Sequence, residues 1–316
     1  MKFAVLFAGQ GAQRVGMGQD IIQRYPRARA VFRRAEECSG LPLSRLCFEG
    51  PEEELALTVY TQPCLLAVEA AIWAVLEEWG VTPWAVAGLS VGEYGALVAA
   101  GSLELDEAIR LVCIRARLMH QACRPGETGM LAVLGLTEER VRDLCTRASR
   151  RGMVEAANFN CPGQVVVAGE LRALRYLAEL AKEAGARRVI PLRVSAAFHT
   201  SLMRGVAEEL GAALDTAEVR PARVPVVANA WARYVRTPQE IRQALRVQVY
   251  SPVLWEQTLR LLARDGVETF VEVGPGRVLS GFVQRTLPGA RAVAVEDLPS
   301  LESLLEISKG GLLRCC

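Results

Sequence analysis

The segment Val86-Ala87-Gly88-Leu89-Ser90-Val91-Gly92-Glu93-Tyr94 carries the serine best placed for chemistry in this chain. An apolar run suited to a buried strand ends there in Gly-x-Ser-x-Gly, and a helix-compatible stretch from Tyr94 to Ala100 follows at once. In so tight a strand-to-helix turn the two glycines leave room for a strained backbone, and the hydroxyl stands at the tip. Neighbouring amides face a helix N-terminus, where they can stabilise developing negative charge. Ser90 is therefore a candidate nucleophile. The plainer alternative is a glycine-rich turn with an incidental serine.

A serine nucleophile needs a base, and the chain has only two histidines. His120 falls at the end of a predicted helix, where a cation suits the C-terminal carbonyls, so structure alone accounts for it. His199 sits in Ala196-Ala197-Phe198-His199-Thr200 between a strand and a helix, where α/β sheets place their chemistry, and is the candidate general base. Arg115 is the third informative residue. On the predicted helix from Asp106 to Ala122, steps of three and four put it in the stripe of Ala108, Leu111, Val112, Leu118, Met119 and Ala122. A guanidinium on a buried face needs an anion or dipoles. A structural ion pair, a side chain reaching to the rim, or a fork for a substrate carboxylate would each meet that need.

Short β-like runs alternate with longer helical patterns, which argues for a mostly parallel sheet covered by helices. The strand candidates are Lys2 to Phe7, Ala85 to Leu89, Pro225 to Ala228 and Thr269 to Val273. Helical patterns run from Ala67 to Trp79, Ser201 to Leu214 and Val253 to Arg264, besides the one that carries Arg115. The middle differs: a strand at Met130 to Leu134, a helix at Thr137 to Ala148, and a hairpin of Val154 to Asn158 with Gln164 to Ala168. A helix from Leu171 to Ala184 and a strand from Arg187 to Val194 complete the β-α-β-β-α-β order of a ferredoxin-like unit. The expected architecture is α/β. A large discontinuous domain (1–125 and 195–316) receives a small ferredoxin-like domain (126–194).

Composition narrows the class. Lys and Arg (37) barely exceed Asp and Glu (35), so no overall field draws nucleic acid or an anionic membrane. Nine unpatterned cysteines fit reduced thiols in a cytoplasmic compartment, with Cys315-Cys316 read as a disordered tail. The N-terminal run is too short for a signal-peptide core, and Pro83 and Glu93 interrupt the apolar stretch from Val81 to Leu103. No metal-ligand spacing is present. Two glycine-rich turns, at Gly9 to Gly11 and Gly274 to Gly276, lack the third glycine or the lysine of a phosphate cradle; the first could aim amides at an oxyanion.

Taken together these residues resemble the malonyl-CoA:acyl carrier protein transacylases and related acyltransferase domains of polyketide synthesis. The matches run in order along nearly the whole chain. They are Phe7-Ala8-Gly9-Gln10-Gly11, Thr61-Gln62-Pro63, the serine elbow, Arg115 with Met119, Asn158 through Gln164, Val194 through Met203, Gln248 with Ser251-Pro252-Val253, and Glu272 through Gly276. The resemblance implies a hydrolase-like large domain with the ferredoxin-like insert. It implies that Ser90 takes the acyl group and His199 serves as base and then acid. Arg115 would hold the malonyl carboxylate, Gln248 would orient the imidazole through its backbone carbonyl, and the amides of Gln10 and Val91 would form the oxyanion hole. Leu89 stands where the family commonly has His, Ala116 where Gly is usual, and His120 where Gln is common. Phe198 resembles the malonyl-preferring pattern, since a ring there would crowd a C2 methyl.

The implied reaction is a ping-pong transfer from malonyl-CoA to the phosphopantetheine thiol of an acyl carrier protein, in fatty acid or polyketide synthesis. It needs no cofactor, because the CoA thioester and the carrier's phosphopantetheine are substrates. No nucleic acid or membrane partner is expected, and a monomer suffices. An acidic carrier would be sought near Lys182, Arg187 and Arg188, although a solvated basic surface is the plainer reading. Two rivals stand beside this reaction: an acyl hydrolase using the same serine, and a non-catalytic carrier-docking subunit.

Overall fold

The computed structural model describes residues 2–124, 126–194 and 196–309, so Cys315-Cys316 lies outside the described residues. The strands are β1 (Lys2–Phe7), β2 (Ala85–Gly88), β3 (Thr128–Leu134), β4 (Val154–Cys161), β5 (Gln164–Glu170), β6 (Arg188–Pro191), β7 (Val226–Ala228), β8 (Arg233–Val235), β9 (Val267–Val273) and β10 (Arg291–Val295). They form two sheets, in the orders β10-β9-β1-β2-β7-β8 and β4-β5-β3-β6.

The larger sheet is parallel throughout except where β8 runs back along β7. Its central strand β1 is buried from Phe3 to Phe7, because helices cover both faces. Phe3, Val5 and Phe7 enter one core, and Ala4 and Leu6 enter the other. Gly88, at the end of β2, thereby sits beside Phe7 in the middle of the sheet.

The smaller sheet is antiparallel, and its strands all fall between Thr128 and Pro191. With the helices Glu138–Ala148 and Leu171–Glu183 it has the expected β-α-β-β-α-β order. Alternation divides its residues: Val133, Val165 and Val167 pack with Val141, Leu144, Leu174 and Leu177. Met130, Ala132, Val166 and Ala168 belong to the main core instead. Two backbone hydrogen bonds stitch this sheet to the large one's surroundings, Phe159 N–H to Val253 O and Val253 N–H to Ala157 O, both 2.9 Å.

Several element limits differ from expectation. The helix expected from Ala67 begins at Thr58 and runs to Glu78, with Pro63 inside it. Every residue from Thr61 to Leu76 is buried, so no polar face marks its turns. It is long and apolar enough by composition to cross a membrane, yet 89% of its apolar window is packed inside the fold. The helix expected from Val253 starts at Trp255, because Val253 is engaged with β4. That expected from Ser201 opens with a 3-10 turn, Ser201–Met203, before Arg204–Thr216. Strand β6 stops at Pro191, which has no N–H to offer a ladder, short of the expected Val194. The edge strands β8 and β10 were not anticipated.

Candidate active site

Between Gly88 and the helix Gly92–Ala99 only Leu89, Ser90 and Val91 make the turn. Ser90 takes a left-handed backbone, φ +56°, which a side chain rarely tolerates. The flanking glycines are steric necessities. A Cβ on Gly88 would lie 1.9 Å from Gly92 O, and one on Gly92 would lie 2.4 Å from Phe7 O. The strain, of order 1–3 kcal/mol, is held in place by Asn229. Its Oδ1 accepts the Ser90 N–H at 2.7 Å, and its Nδ2 donates to Gly88 O at 2.7 Å.

His199 is also left-handed, φ +60°. Its Nε2 is 2.8 Å from Ser90 Oγ, and its Nδ1 is 2.9 Å from the Gln248 backbone carbonyl. A carbonyl only accepts, so Nδ1 carries the hydrogen and Nε2 is left to accept the serine's proton. Burial pushes the imidazole down to about 4, and the Arg115 cation pushes it the same way, so at neutral pH it is an uncharged base.

Arg115 lies on the helix Leu105–Gln121 and is fully buried. Its Nη1 donates to Gln62 Oε1 at 2.7 Å; its Nη2 donates to Ser90 Oγ at 3.0 Å and to Gln248 Oε1 at 2.8 Å. Among the described residues these partners are all neutral, and the guanidinium does not reach the rim. Neither the ion-pair nor the rim alternative describes it. Desolvation draws its pKa below the usual arginine range, while Tyr94 and Glu93 pull it upward.

Gln248 Nε2 donates to Ser90 O at 2.9 Å and to Glu93 Oε2 at 2.8 Å. Glu93 Oε2 also accepts the Asn229 N–H at 3.1 Å. Burial raises the Glu93 carboxyl to about 7, against the hydrogen bonds from Gln248 and Asn229 and the charge of Arg115.

A cavity of about 220 Å³ opens in front of Ser90 and His199. Gln10, Leu89 and Phe198 form its wall on the large-sheet side, and Met130, Asn160 and Val166 face them from the small sheet. The Gln10 side chain donates to Thr58 Oγ1 at 3.1 Å and accepts from Gln62 at 3.4 Å. Leu89 lies so close over Gly9 that a Cβ there would sit 2.6 Å from Leu89 Cδ2. Val91 is buried in the main core, and its side chain does not line the cavity.

The structure thus joins Ser90, His199, Arg115 and Gln248 by direct hydrogen bonds and sets Gln10, Leu89 and Phe198 on the cavity wall. Sequence reasoning assigned no role to Gln62, Glu93 or Asn229. For Glu93 a signal existed: a carboxylate amid an otherwise apolar helical stretch. His120 occupies the last turn of its helix, and its Nδ1 is buried without a partner among the described residues. The described cysteines are all free thiols, and no cluster of metal-binding side chains occurs among the described residues.

A neutral imidazole on a hydroxyl, with a cation at the same oxygen, is equipped for acyl transfer to serine. Comparison with known proteins agrees with this chemistry. Residues 5–304 match the family described as acyl transferase domain. The chain is 41% identical over 309 residues to the malonyl CoA-acyl carrier protein transacylase of Bacillus subtilis, covering 98% of each. A solved acyl carrier protein S-malonyltransferase from Vibrio cholerae superposes with TM-score 0.93 at 41% identity, over 96% of this chain and 100% of that one. A malonyl-transacylase solved in complex with its type II polyketide acyl carrier protein gives TM-score 0.95 at 40% identity, over 97% and 100%.

Proposed function

Since the chain belongs to the acyl transferase domain family, we propose that it moves a malonyl group from malonyl-CoA to the phosphopantetheine thiol of an acyl carrier protein. One observation carries the mechanism: Ser90 Oγ sits between His199 Nε2, at 2.8 Å, and Arg115 Nη2, at 3.0 Å.

Ser90 Oγ attacks the thioester carbonyl as His199 Nε2 takes its proton. The amides of Gln10 and Val91 receive the charge on the tetrahedral oxygen. The imidazolium returns its proton to the departing CoA sulfur, leaving malonyl-Ser90. The carrier thiol then gives its proton to His199 and attacks the ester, and Ser90 regains a proton as it leaves. Gln248 O keeps the imidazole aligned through both halves. Arg115 exchanges its neutral partners for the malonyl carboxylate. No step calls for a cofactor.

The reading extends to fatty acid or polyketide synthesis, in the cytoplasm and as a monomer; free thiols throughout the described residues support the compartment. Intact-mass measurement after incubation with malonyl-CoA tests it. The wild type should gain one malonyl group, and Ser90→Ala none. A wild-type protein that never gains that mass would favour a docking subunit. An adduct lost to water faster than to carrier protein would favour a hydrolase.

A further inference from the structure

Glu93 lies in the first turn of the helix Gly92–Ala99, is buried, and does not line the cavity. Its Oε2 nevertheless accepts from two distant parts of the chain: Gln248 Nε2 at 2.8 Å and the Asn229 backbone N–H at 3.1 Å. Each donor grips the Ser90 peptide in turn. Asn229 Oδ1 holds its N–H, and Gln248 Nε2 holds its carbonyl. Gln248 also presents Oε1 to Arg115 and its backbone oxygen to His199. We propose that Glu93 is a positioning residue for Ser90, His199 and Arg115 together, acting through one carboxylate oxygen shared by Gln248 and Asn229.

The reason lies in the amide of Gln248. Its two ends are similar in size, and only hydrogen bonds decide which way it faces. Glu93 Oε2 and Ser90 O hold the NH₂ end, so Oε1 must face Arg115. Without Glu93 the amide can turn over, set N–H against the N–H groups of Arg115, and loosen the fork. Glu93 also places a carboxyl near Arg115 with an amide between them. A direct ion pair would occupy the donors that a substrate carboxylate needs; this arrangement leaves them to weaker neutral partners. Selectivity for malonyl over acetyl therefore depends on a residue behind the wall of the cavity.

This inference rests on the malonyl-transfer reading. It is tested by single-turnover acylation of Ser90 with malonyl-CoA and, separately, acetyl-CoA. Glu93→Met fills a similar volume with no acceptor. It is expected to slow malonylation roughly 100-fold and lower the malonyl-to-acetyl ratio about tenfold, the scale of an ångström-sized misplacement. Glu93→Gln keeps an acceptor oxygen and should recover most of that ratio. Gln248→Met keeps the backbone carbonyl behind His199 and should lower the ratio as Glu93→Met does; it decides the matter if Glu93→Met does not fold. An unchanged ratio in either methionine variant overturns the inference, as does Glu93→Gln matching Glu93→Met. In those outcomes the wild type still malonylates. A wild type that does not malonylate refutes the underlying function instead.

Discussion

Arg115 Nη2 and Ser90 Oγ lie 3.0 Å apart although the residues are 25 positions apart in sequence. The cation that would bind the substrate's carboxylate thus already touches the atom that would attack its carbonyl. In malonyl-CoA the free carboxylate and the thioester carbonyl are separated by one carbon, so one short acyl group can engage both residues.

Removing the fork should therefore penalise the charged acyl group selectively. Arg115→Ala is expected to reduce malonyl transfer by roughly 10²–10³-fold, the scale for truncating one side of a buried charge pair. Acetyl transfer, which lacks the carboxylate, should fall far less. Steady-state transfer of both groups to carrier protein measures the difference, and equal losses would contradict the assignment.

The buried imidazole sets the pH response. With His199 lowered to about 4, the base stays neutral as pH falls through the ordinary histidine range. Activity is present above that lowered value and is lost as pH falls through it. The acid limb of kcat/KM for malonyl-CoA should accordingly lie well below 6.5, the ordinary histidine value. An acid limb at 6.5 or higher that persists in Glu93→Gln, which removes the carboxyl raised to about 7, would show that burial does not hold the imidazole neutral. The same shift costs stability in acid, since the unfolded chain takes up this proton first.

Asn229 restrains the strained turn from the side. Asn229→Ala leaves the buried Ser90 N–H and Gly88 carbonyl without these partners, at a cost of about 1–3 kcal/mol for each unsatisfied group. Chemical denaturation should show the loss, and acylation of Ser90 should slow in protein that remains folded. Retained stability and rate would mean the elbow holds its shape unaided.

Phe198 lines the cavity next to His199, the proposed base. Phe198→Ser should raise the methylmalonyl-to-malonyl ratio of kcat/KM by about 10- to 100-fold, within the 1–3 kcal/mol that a methyl-sized contact commands. An unchanged ratio would place the discrimination elsewhere on the wall.

The elbow was legible because its requirements are local: a strand, two glycines that backbone contacts demand, and a helix. Arg115 was legible because helical periodicity fixes which face a residue joins. Burial on every side hid the start of the helix Thr58–Glu78, and with it the position of Gln62 against Arg115. Glu93 and Asn229 were missed for a related reason. Their partners are 155 and 139 positions away, at Gln248 and Ser90; the lone carboxylate in an apolar stretch marked Glu93 as unusual but not which residues it meets, and Asn229 carries no such mark. Likewise β8, only three residues long, and β10, a five-residue run paired along one side only, are too short to stand out as β1 does.

The stitch between β4 and Val253 brings the two walls of the cavity onto neighbouring backbone. Val253 is five residues beyond Gln248, whose carbonyl steadies the imidazole, while β4 carries Asn158 and Asn160 on the opposite cavity wall. One short length of backbone, residues 248–253, therefore reaches from the ring nitrogen of His199 to the strand across the cavity.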